Sequence, residues 1–530
     1  MKITLRNYRA FDDTRPATWR LDDEFRAFIG VNNSGKPSLL RFFHEARPAW
    51  GVLSTLNNSP YQQMAQGTAM NIGFQSVADV QEVLCNRNTR DMSVEFALQT
   101  TDERKGSVPE AVTFWWRRTD AWLTISFTVK GVTGHAKTFA GNPAEPVVNV
   151  DGADVQLDLE RYRTFFEDVA NSLYLGAFRN AINVGGAAYY DLQIGQQFIQ
   201  QWDAIKTGPN RHSNRMAIAV ERELQQIFGL SNLEINAAPN NETLQIIVDD
   251  EPYQLQEQGA GLAQFIVVLA FVATRKPAWV FIDEPEQNLH PSLQIDFLTT
   301  LARYTSRGVV FAMHSIGLAR AVAHETYSVQ RLPDDTREVR PLEATRDLVE
   351  FLGELSFSGY EELGFSRVLL VEGPTEVPAV QRFLRLYGID HRVVLLPLGG
   401  ASMINARSAT SLNEVKRITS NVSVLIDSER ASEGEPLAKE REEFVKTCDG
   451  LGFSIHVTDR RTLENYLTDA AIKTVKGEKY GALGHFDSLR SQAMGWAKHE
   501  NWRIAAEMSK SDLDNTDLGA FFQALAEAVA

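Results

Sequence analysis

The pattern of apolar and polar positions at the start of the chain predicts two strands, a loop and a helix. The pattern over Lys2–Arg6 and over Arg26–Ile29 predicts two short strands. A glycine-rich loop, Gly30–Lys36, follows the second strand, and Ser38–Glu45 has the pattern of a helix. Residues 92–150 carry short alternating runs that are typical of antiparallel strands with one polar face, so they predict a β-rich lobe.

The middle of the chain changes from a mostly helical pattern, over residues 157–228, to an alternation of helices and strands. This alternation predicts an α/β core that closes near residue 340. Its elements are a helix from Leu262, a strand at Trp279–Ile282, a helix from Pro291 and a strand at Gly308–Met313. A second α/β series has strands predicted at Arg367–Val371, Arg392–Pro397, Val422–Ile426 and Phe453–Val457.

Composition narrows the class of protein. The 530 residues predict about two to four domains of ordinary globular composition. The net charge of -15 argues against indiscriminate nucleic-acid coating, but local basic patches and bound cations leave specific binding open. Two cysteines, Cys85 and Cys448, are too few for a disulfide framework. Because neither a secretory signal pattern nor an apolar stretch of about 20 residues occurs, a cytoplasmic protein outside the membrane is expected.

The loop Gly30–Lys36 fits the pattern G-x-x-x-x-G-K, in which backbone N–H groups surround phosphates and the lysine balances their charge. We therefore expect phosphate contacts from Asn32, Asn33, Ser34, Gly35 and Lys36. Position 37 is proline, where a Ser or Thr hydroxyl normally reaches Mg²⁺, and proline also lacks a backbone donor. Ser38 is expected to compensate only in part, so nucleotide binding is predicted together with weakened hydrolysis.

Two carboxylates follow the predicted strand Trp279–Ile282. Ligands collect at the carboxyl ends of parallel strands, so Asp283 is expected to hold Mg²⁺ and Glu284 to polarise the attacking water. His314 directly follows another predicted strand, which would bring its ring to the γ-phosphate.

Gly259 and Gly261 precede the predicted helix from Leu262. They offer a second phosphate-facing helix N-terminus, of the kind that the other subunit of a dimer would supply.

Four further carboxylates follow the first and third strands of the second α/β series. Glu372 comes directly after the first strand and Glu376 about one turn later. Asp427 and Glu429 follow the third strand, and they would point the same way if the strand conformation persisted. Because adjacent carboxylates repel one another unless a cation lies among them, this set predicts Mg²⁺ or Mn²⁺.

The first group of motifs resembles the ABC-type ATPase domain of the overcoming-lysogenization-defect (OLD) family, which is related to the heads of SMC and RecF proteins. The resemblance rests on Asn7–Phe11 at the first strand, Gly30–Lys36 as Walker A, Gly259 and Gly261 as a degenerate signature, Asp283–Glu286 with Leu289–Pro291 as Walker B and D-loop, and His314 as switch. It implies that ATP is bound between two subunits joined head to head. Tyr174–Arg179 looks like the segment before the helical dimerisation insert of that family.

The carboxylates after the second series of strands are similar to the TOPRIM domain of topoisomerases, primases and OLD nucleases. In that domain a glutamate follows the first strand and the pattern D-x-D follows a later one, which here reads Asp427-Ser428-Glu429. By the same resemblance Glu464 is a candidate ligand for a second metal. Lys498 is a candidate catalytic lysine, and an ordinary exposed lysine is its alternative.

Together the resemblances imply an α/β protein of two domains. The first, over residues 1–345, is an ABC/SMC-like P-loop ATPase domain with a β-rich lobe and a helical dimerisation insert at about 157–228. The second, over residues 346–530, is a Rossmann-like TOPRIM domain with C-terminal helices.

The function that these resemblances imply is an ATP-responsive endonuclease dependent on Mg²⁺ or Mn²⁺. One metal would lie near Glu372, Asp427 and Glu429, and the other near Glu376 and Glu464. DNA is the favoured substrate, while RNA, including tRNA, stays open. A second hypothesis is an ATP-controlled scaffold or sensor whose nuclease is silent until a partner or a phage trigger releases it.

The family resemblance also implies partners. It suggests a homodimer or a higher even-numbered oligomer, and a role in prokaryotic anti-phage defence. A defence partner such as a retron reverse transcriptase with its RNA–DNA is expected on the same grounds.

Overall fold

The computed structural model describes most of the chain, and the protein is a mixed α/β molecule. The described residues are 1–30, 33–56, 58–98, 108–140, 142–177, 188–193, 195–238, 243–287, 289, 291–313, 318–319, 322–332, 334–342, 366–390, 392–398, 412, 415, 421–491 and 495–529. None of the helices in these ranges is both long enough and apolar enough to cross a membrane. The chain forms two compact units: unit 1 comprises Met1–Leu289, Thr300–His314 and Thr326–Pro341, and unit 2 comprises His290–Thr299, Ser315–Glu325 and Leu342–Ala530.

Unit 1 contains a central sheet in which four strands run parallel. In the order in which they pair, its strands are β11 (Leu173–Leu175), β17 (Trp279–Asp283), β18 (Gly308–Met313), β3 (Glu24–Ile29), β19 (Glu325–Arg331) and β20 (Arg337–Pro341). The register places Asp283 beside Ala312, and Ala312 beside Phe28, so the carboxyl ends of β17, β18 and β3 share one edge. β17 and β18 are buried at every position, as expected for inner strands of a parallel sheet.

The remaining strands of unit 1 form antiparallel sheets. One pairs β2 (Ala17–Arg20), β1 (Lys2–Arg6), β4 (Met92–Ala97), β5 (Ala111–Trp116), β6 (Leu123–Val129) and β7 (Val132–Gly134) in that order. The others are formed by β8 (Ala136–Phe139), β9 (Pro146–Val150) and β10 (Ala153–Gln156), by β12 (Ala188–Tyr189) and β13 (Leu192–Gln193), and by β14 (Leu233–Ala237), β15 (Leu244–Val248) and β16 (Glu251–Gln254).

The helices of unit 1 are α1 (Lys36–Glu45), α2 (Arg47–Thr55), α3 (Ser59–Ala65), α4 (Glu160–Ala170), α5 (Gly195–Thr207), α6 (Arg211–Phe228) and α7 (Ala260–Arg275). Helix α8 (Pro291–Arg303) contributes residues to both units. Short 3₁₀ helices occur at Val80–Glu82 and Leu255–Glu257. Residues 157–228 thus include the strand β11 of the central sheet as well as helices. The mostly helical sequence pattern did not predict this strand.

Aromatic side chains join the loop-bearing helix α1 to both kinds of sheet in unit 1. Phe43 of α1 stacks on Phe281 of β17 with ring centroids 4.4 Å apart. Trp50 of α2 is fully buried, stacks on Phe166 and meets Phe114 edge to face. One continuous hydrophobic core therefore joins helix α1, which follows the Gly30–Lys36 loop, to the sheets of unit 1.

Unit 2 contains a four-stranded parallel sheet in the order β22 (Val393–Pro397), β21 (Arg367–Val371), β23 (Val422–Ile426) and β24 (Ser454–Val457). Its helices are α9 (Val377–Leu386), α10 (Lys439–Leu451), α11 (Asp469–Lys476), α12 (Asn501–Ala505), α13 (Lys510–Leu513) and α14 (Asp517–Val529), with 3₁₀ helices at Leu463–Tyr466, Leu489–Ser491 and Lys498–Glu500. β21 and β23 are the central pair, so the residues that follow them meet at one edge of the sheet.

Candidate functional sites

The phosphate-binding candidate of unit 1 is a loop that requires left-handed backbone. Asn33 has φ 60° and Gly35 has φ 105°. A Cβ on Gly35 would lie 3.0 Å from Cζ of Phe11, so the side chain of Phe11 occupies the space below the loop. Glycine at position 35 is therefore demanded by both conformation and packing. Asn32 and His314, two predicted contact residues, lie outside the described residues.

The buried side chains of Lys36 and Ser34 make the interior of this loop polar. The Lys36 Nζ donates a 2.6 Å hydrogen bond to the carbonyl of Gly30. Burial lowers the pKa of Lys36, and the negative charges of Asp283 and Glu284 oppose that change. The Ser34 hydroxyl is buried and has no hydrogen-bond partner among the described residues. An orphaned buried hydroxyl beside a buried lysine suits a bound anion.

Pro37 and Ser38 begin helix α1 directly after the loop. Pro37 lies in the first turn, where a missing N–H breaks no helical hydrogen bond. Ser38 is half-buried, and its N–H is bonded to the carbonyl of Gly35 at 3.1 Å. The fold therefore accommodates the proline without the loss of a helical hydrogen bond.

Asp283 and Glu284 stand at the carboxyl end of β17, as the sequence predicts. Both side chains are at least nine-tenths buried. Glu284 has φ 50°, and its N–H is bonded to the carbonyl of Ala312 on β18 at 2.8 Å. The side-chain amide of Gln287 donates to the Glu284 carboxylate. Gln287 is a partner that sequence reasoning missed, although it lies only three positions further along the chain.

Gly259 and Gly261 lie at the start of helix α7. Gly259 caps that helix and is exposed, and a Cβ there would meet no atom within 4 Å. Crowding by the described residues does not explain the glycine, and its predicted role toward a second subunit stays a prediction.

The Asn7–Phe11 segment has a structural partner in Glu45, at the end of α1. The Tyr8 hydroxyl donates to Glu45 Oε2 at 2.8 Å, and Arg9 pairs with the same carboxylate. Tyr8 and Glu45 are completely buried, and burial raises the pKa of Tyr8 well above its ordinary value. This segment therefore anchors both ends of the loop-bearing helix, through Phe11 under Gly35 and through Tyr8 on Glu45.

The second candidate site lies at the carboxyl ends of β21 and β23 in unit 2. Glu372 follows β21, and Glu376 is the N-cap of helix α9 after a tight turn. The Glu372 N–H donates to Glu376 Oε2 at 3.1 Å. Burial, followed by the charges of Asp427 and Glu372, raises the pKa of Glu376 well above its ordinary value.

Asp427 joins these glutamates, whereas Glu429 differs from the expectation. Asp427 is buried and accepts the Leu463 N–H at 2.9 Å. Burial, and then the charge of Glu464, raises the pKa of Asp427 well above its ordinary value. β23 ends at Ile426 and Glu429 has φ 55°, so the strand conformation that a shared face of Asp427 and Glu429 requires does not persist. The exposed Glu429 side chain lies 3.6 Å from Nε of Arg461.

Glu464 and Lys498 lie beside the same carboxylates, although they come from later parts of the chain. Glu464 is 2 % exposed, and its Oε1 lies 3.3 Å from Lys498 Nζ. Burial alone would lower the pKa of Lys498, but the negative charges of Glu464 and Asp427 raise this pKa above its ordinary value. The side chain of Lys498 is 44 % exposed, so it connects the buried carboxylates with the surface.

Asn501 is a second residue that sequence reasoning missed. Its Nδ2 donates to Glu464 Oε1 at 2.8 Å, and its Oδ1 accepts the indole N–H of Trp496 at 2.9 Å. These bonds hold one oxygen of Glu464, while Oε2 is buried without a partner among the described residues. No local signal marked Asn501, because its partner lies 37 positions away.

Arg441 is the third missed residue, and it pairs with Glu372. Its Nη1 donates to Oε2 and its Nη2 to Oε1, both at 3.0 Å. Nη1 also donates to the carbonyl of Asp427 at 2.6 Å. A signal did exist: Arg441 shares the buried face of α10 with Phe444 and Cys448, at helical spacing of three and seven positions.

The carboxylates of unit 2 suit a hard divalent cation by chemistry, but they do not enclose one as they stand. Across the described residues, no group of three or more His, Cys, Asp and Glu side chains is placed so that it could hold a metal ion. All candidate donors are carboxylate oxygens, and Glu464 Oε2 is a buried oxygen without a hydrogen-bond partner. Ligation therefore requires the mutually repelling side chains to close around the ion.

No protein-family model matches the chain, and no curated protein matches it. The solved structures that match include SMC head domains. A head bound to the C-winged helix domain of ScpA has 12% identity, 65% of this chain and 98% of that chain covered, and a TM-score of 0.37. The SMC head domain from Thermotoga maritima has 14% identity, the same two coverages and a TM-score of 0.33.

A third matching structure is an Smc head domain with an extended coiled coil, bound to the C-terminal domain of ScpA derived from Pyrococcus furiosus. It has 10% identity, covers 67% of this chain and 98% of that chain, and has a TM-score of 0.35. The chain is thus similar in structure, at low identity, to head domains of SMC proteins.

Proposed function

We propose that this protein is an ATP-binding, divalent-metal-dependent nuclease, in which unit 1 binds the nucleotide and unit 2 cuts a phosphodiester bond. The observation that carries the nuclease proposal is the convergence of Glu376, Asp427, Glu464 and Lys498 at one edge of a parallel sheet. Three buried carboxylates beside a half-exposed lysine have no evident structural purpose, because burial of unbalanced charge destabilises a fold.

The roles proposed for these residues follow from their placement. Glu376, Asp427 and Glu464 would hold Mg²⁺ or Mn²⁺, which supplies charge stabilisation and lowers the pKa of a bound water. Lys498 lies at the exposed side of the cluster, where its ammonium group would pair with a phosphate oxygen of the substrate. Asn501 and the Leu463 N–H orient two of the carboxylates.

The nucleotide site of unit 1 is proposed from the loop and the β17 carboxylates. Lys36 and the Ser34 hydroxyl would meet the phosphates, and Asp283 and Glu284 would serve Mg²⁺ and the attacking water. Gly259 and Gly261 would complete the site from a second copy of the chain, so a homodimer belongs to this proposal.

The proposal also names a substrate and a biological role. DNA is the favoured substrate, and the family resemblance of the motifs suggests an anti-phage effector with a partner of the retron type. RNA cleavage is the alternative outcome of the same test, because metal-bound carboxylates act on either backbone.

The proposal is tested by incubating the purified chain with supercoiled plasmid, linear DNA and total tRNA. Each substrate is incubated with Mg²⁺, Mn²⁺ or EDTA, with and without ATP. We expect cleavage of at least one substrate with a divalent metal and none with EDTA. Cleavage that persists in EDTA would contradict the metal-dependent mechanism, and cleavage of tRNA alone would assign the substrate to RNA.

A second candidate function is an ATP-controlled scaffold, and Pro37 is the observation that favours it. Because proline removes a donor at the start of α1, bound ATP would persist instead of being turned over. Pro37→Ser restores the hydroxyl, and we expect it to raise ATP turnover by about tenfold or more. Single-turnover hydrolysis measures this, with Pro48→Ser in α2 as the control. Equal turnover in wild type and Pro37→Ser would refute the role given to the proline.

A further inference from the structure

The segments that follow β23 and β24 are joined by hydrogen bonds at the carboxyl edge of the unit 2 sheet. The Ser428 hydroxyl donates to the carbonyl of Arg460 at 2.7 Å. The Glu429 N–H donates to the carbonyl of Arg461 at 2.8 Å. Because Arg430 directly follows Glu429, these bonds bring the backbone of Arg430 close to that of Arg461.

Two other arginines near this edge have fixed partners within the protein. Arg441 forms its bidentate pair with Glu372. Arg460 donates to the carbonyl of Asn465 at 2.6 Å, and its guanidinium carbon lies 4.6 Å from the ring centroid of Tyr466. Both side chains are therefore engaged by the fold.

Arg430 and Arg461 are held much less firmly. The Arg430 side chain is half-buried, and its Nε is buried without a hydrogen-bond partner among the described residues. Nε of Arg461 lies 3.6 Å from the Glu429 carboxylate, and both of these side chains are partly exposed. An exposed ion pair of this kind contributes little to stability. An orphaned donor beside a weakly held guanidinium suits a bound anion.

The charges of this edge favour an extended anion. Lys498 and Arg461 contact different carboxylates, Glu464 and Glu429, so they form two separate cationic points. A nucleic-acid strand presents successive phosphates to such points. The edge carries as many cationic side chains as carboxylates, so it has no excess of negative charge to repel a polyanion. They are Glu372, Glu376, Asp427, Glu429 and Glu464 against Arg430, Arg441, Arg460, Arg461 and Lys498.

We propose that Arg430 and Arg461 bind a backbone phosphate of the nucleic-acid substrate, next to the phosphate that faces Lys498. Both are positioning residues, because their guanidinium groups hold the strand and take no part in bond cleavage. Contacts to phosphate carry no sequence information, so this pair of arginines accepts DNA and RNA strands of any sequence. This inference rests on the proposed function, since it names how the substrate of the same site is held.

The test is equilibrium binding of fluorescein-labelled single strands of mixed sequence, as DNA and as RNA, to the full-length chain. EDTA is present throughout, and fluorescence anisotropy gives the affinity over a series of salt concentrations. We expect Arg430→Gln and Arg461→Gln each to weaken binding by about threefold or more. Each should also lower the slope of log affinity against log salt by about 0.7, the contribution of one phosphate contact in a single strand.

The matched control is Lys446→Gln, which removes a positive charge from the exposed face of α10 and should change neither affinity nor slope. Thermal unfolding confirms that each variant is folded before its affinity is compared. Unchanged affinity and slope in the double variant of Arg430 and Arg461 overturn the inference and leave the cleavage test of the proposed function unaffected.

A loss confined to one sequence, or to DNA or RNA alone, also overturns the inference, because it would indicate recognition of bases or of the ribose hydroxyl. A wild-type chain that binds neither strand overturns the inference too. If that chain also cuts no substrate with Mg²⁺ or Mn²⁺, the proposed nuclease fails with it.

Discussion

Asp427→Asn is expected to lower the rate of nucleic-acid cleavage by about 10³-fold or more, which corresponds to about 4 kcal/mol of transition-state stabilisation. The amide keeps the size of the side chain but removes the negative charge that a divalent cation needs. Asp427 is buried at the end of the central strand β23, so water cannot replace the lost ligand without rearrangement. Single-turnover cleavage of the preferred substrate in Mg²⁺ gives the rate directly.

The matched control is Asp449→Asn, which makes the same chemical change at an exposed position of helix α10. It should leave the cleavage rate within about twofold, since exposed substitutions away from a site have small effects. Glu429→Gln should lie between the two, with a loss of about tenfold or less, because Glu429 is exposed and turned out of the strand. Full activity in Asp427→Asn would remove unit 2 as the site of cleavage.

Trp50→Ala is expected to destabilise unit 1 by about 3–5 kcal/mol. The Trp50 ring is completely buried, lies 5.8 Å from Phe166 between ring centroids and donates its indole N–H to the carbonyl of Phe43 at 3.0 Å. Alanine would leave a cavity and an unpaired carbonyl in α1. Chemical denaturation followed by tryptophan fluorescence and circular dichroism measures the loss.

Trp122→Ala is the control for this prediction. Trp122 is 40% exposed at the edge of the β-rich lobe, where it contacts Arg117, so its removal should change the free energy of unfolding by about 1 kcal/mol or less. Nucleotide binding by Trp50→Ala should weaken as well, because the core under α1 supports the Gly30–Lys36 loop. Equal stability of the two variants would show that the aromatic cluster does not hold α1 in place.

The sequence predictions that depend only on neighbouring residues along the chain agree most closely with the structure. β18, β21 and β23 have the bounds that the apolar runs predict. Such runs are buried on both faces of a parallel sheet, so composition and length are sufficient to find them. A shared face of Asp427 and Glu429 is absent for a local reason, since the strand conformation ends at Ile426, before either residue.

The ion pair of Arg441 with Glu372 shows what a linear pattern does not reveal. The spacing of Arg441 with Phe444 and Cys448 places it on the buried face of α10, but its partner Glu372 lies 69 positions earlier in the chain. Only the packing of α10 in unit 2 brings the two side chains together. That contact engages both oxygens of Glu372, which the sequence predicts as a metal ligand.

The sequence by itself determined the bounds of β18, β21 and β23, the Gly30–Lys36 pattern and the identity of the carboxylates at the strand ends, because these depend on periodicity and on residues adjacent in the chain. Only the tertiary structure decided which hydrogen-bond partners these carboxylates have. Asn501 holds Glu464, and Arg441 occupies Glu372, across long separations in sequence. Hydrogen bonds and charge pairing are set by distances in space, and the order of residues along the chain does not encode those distances directly.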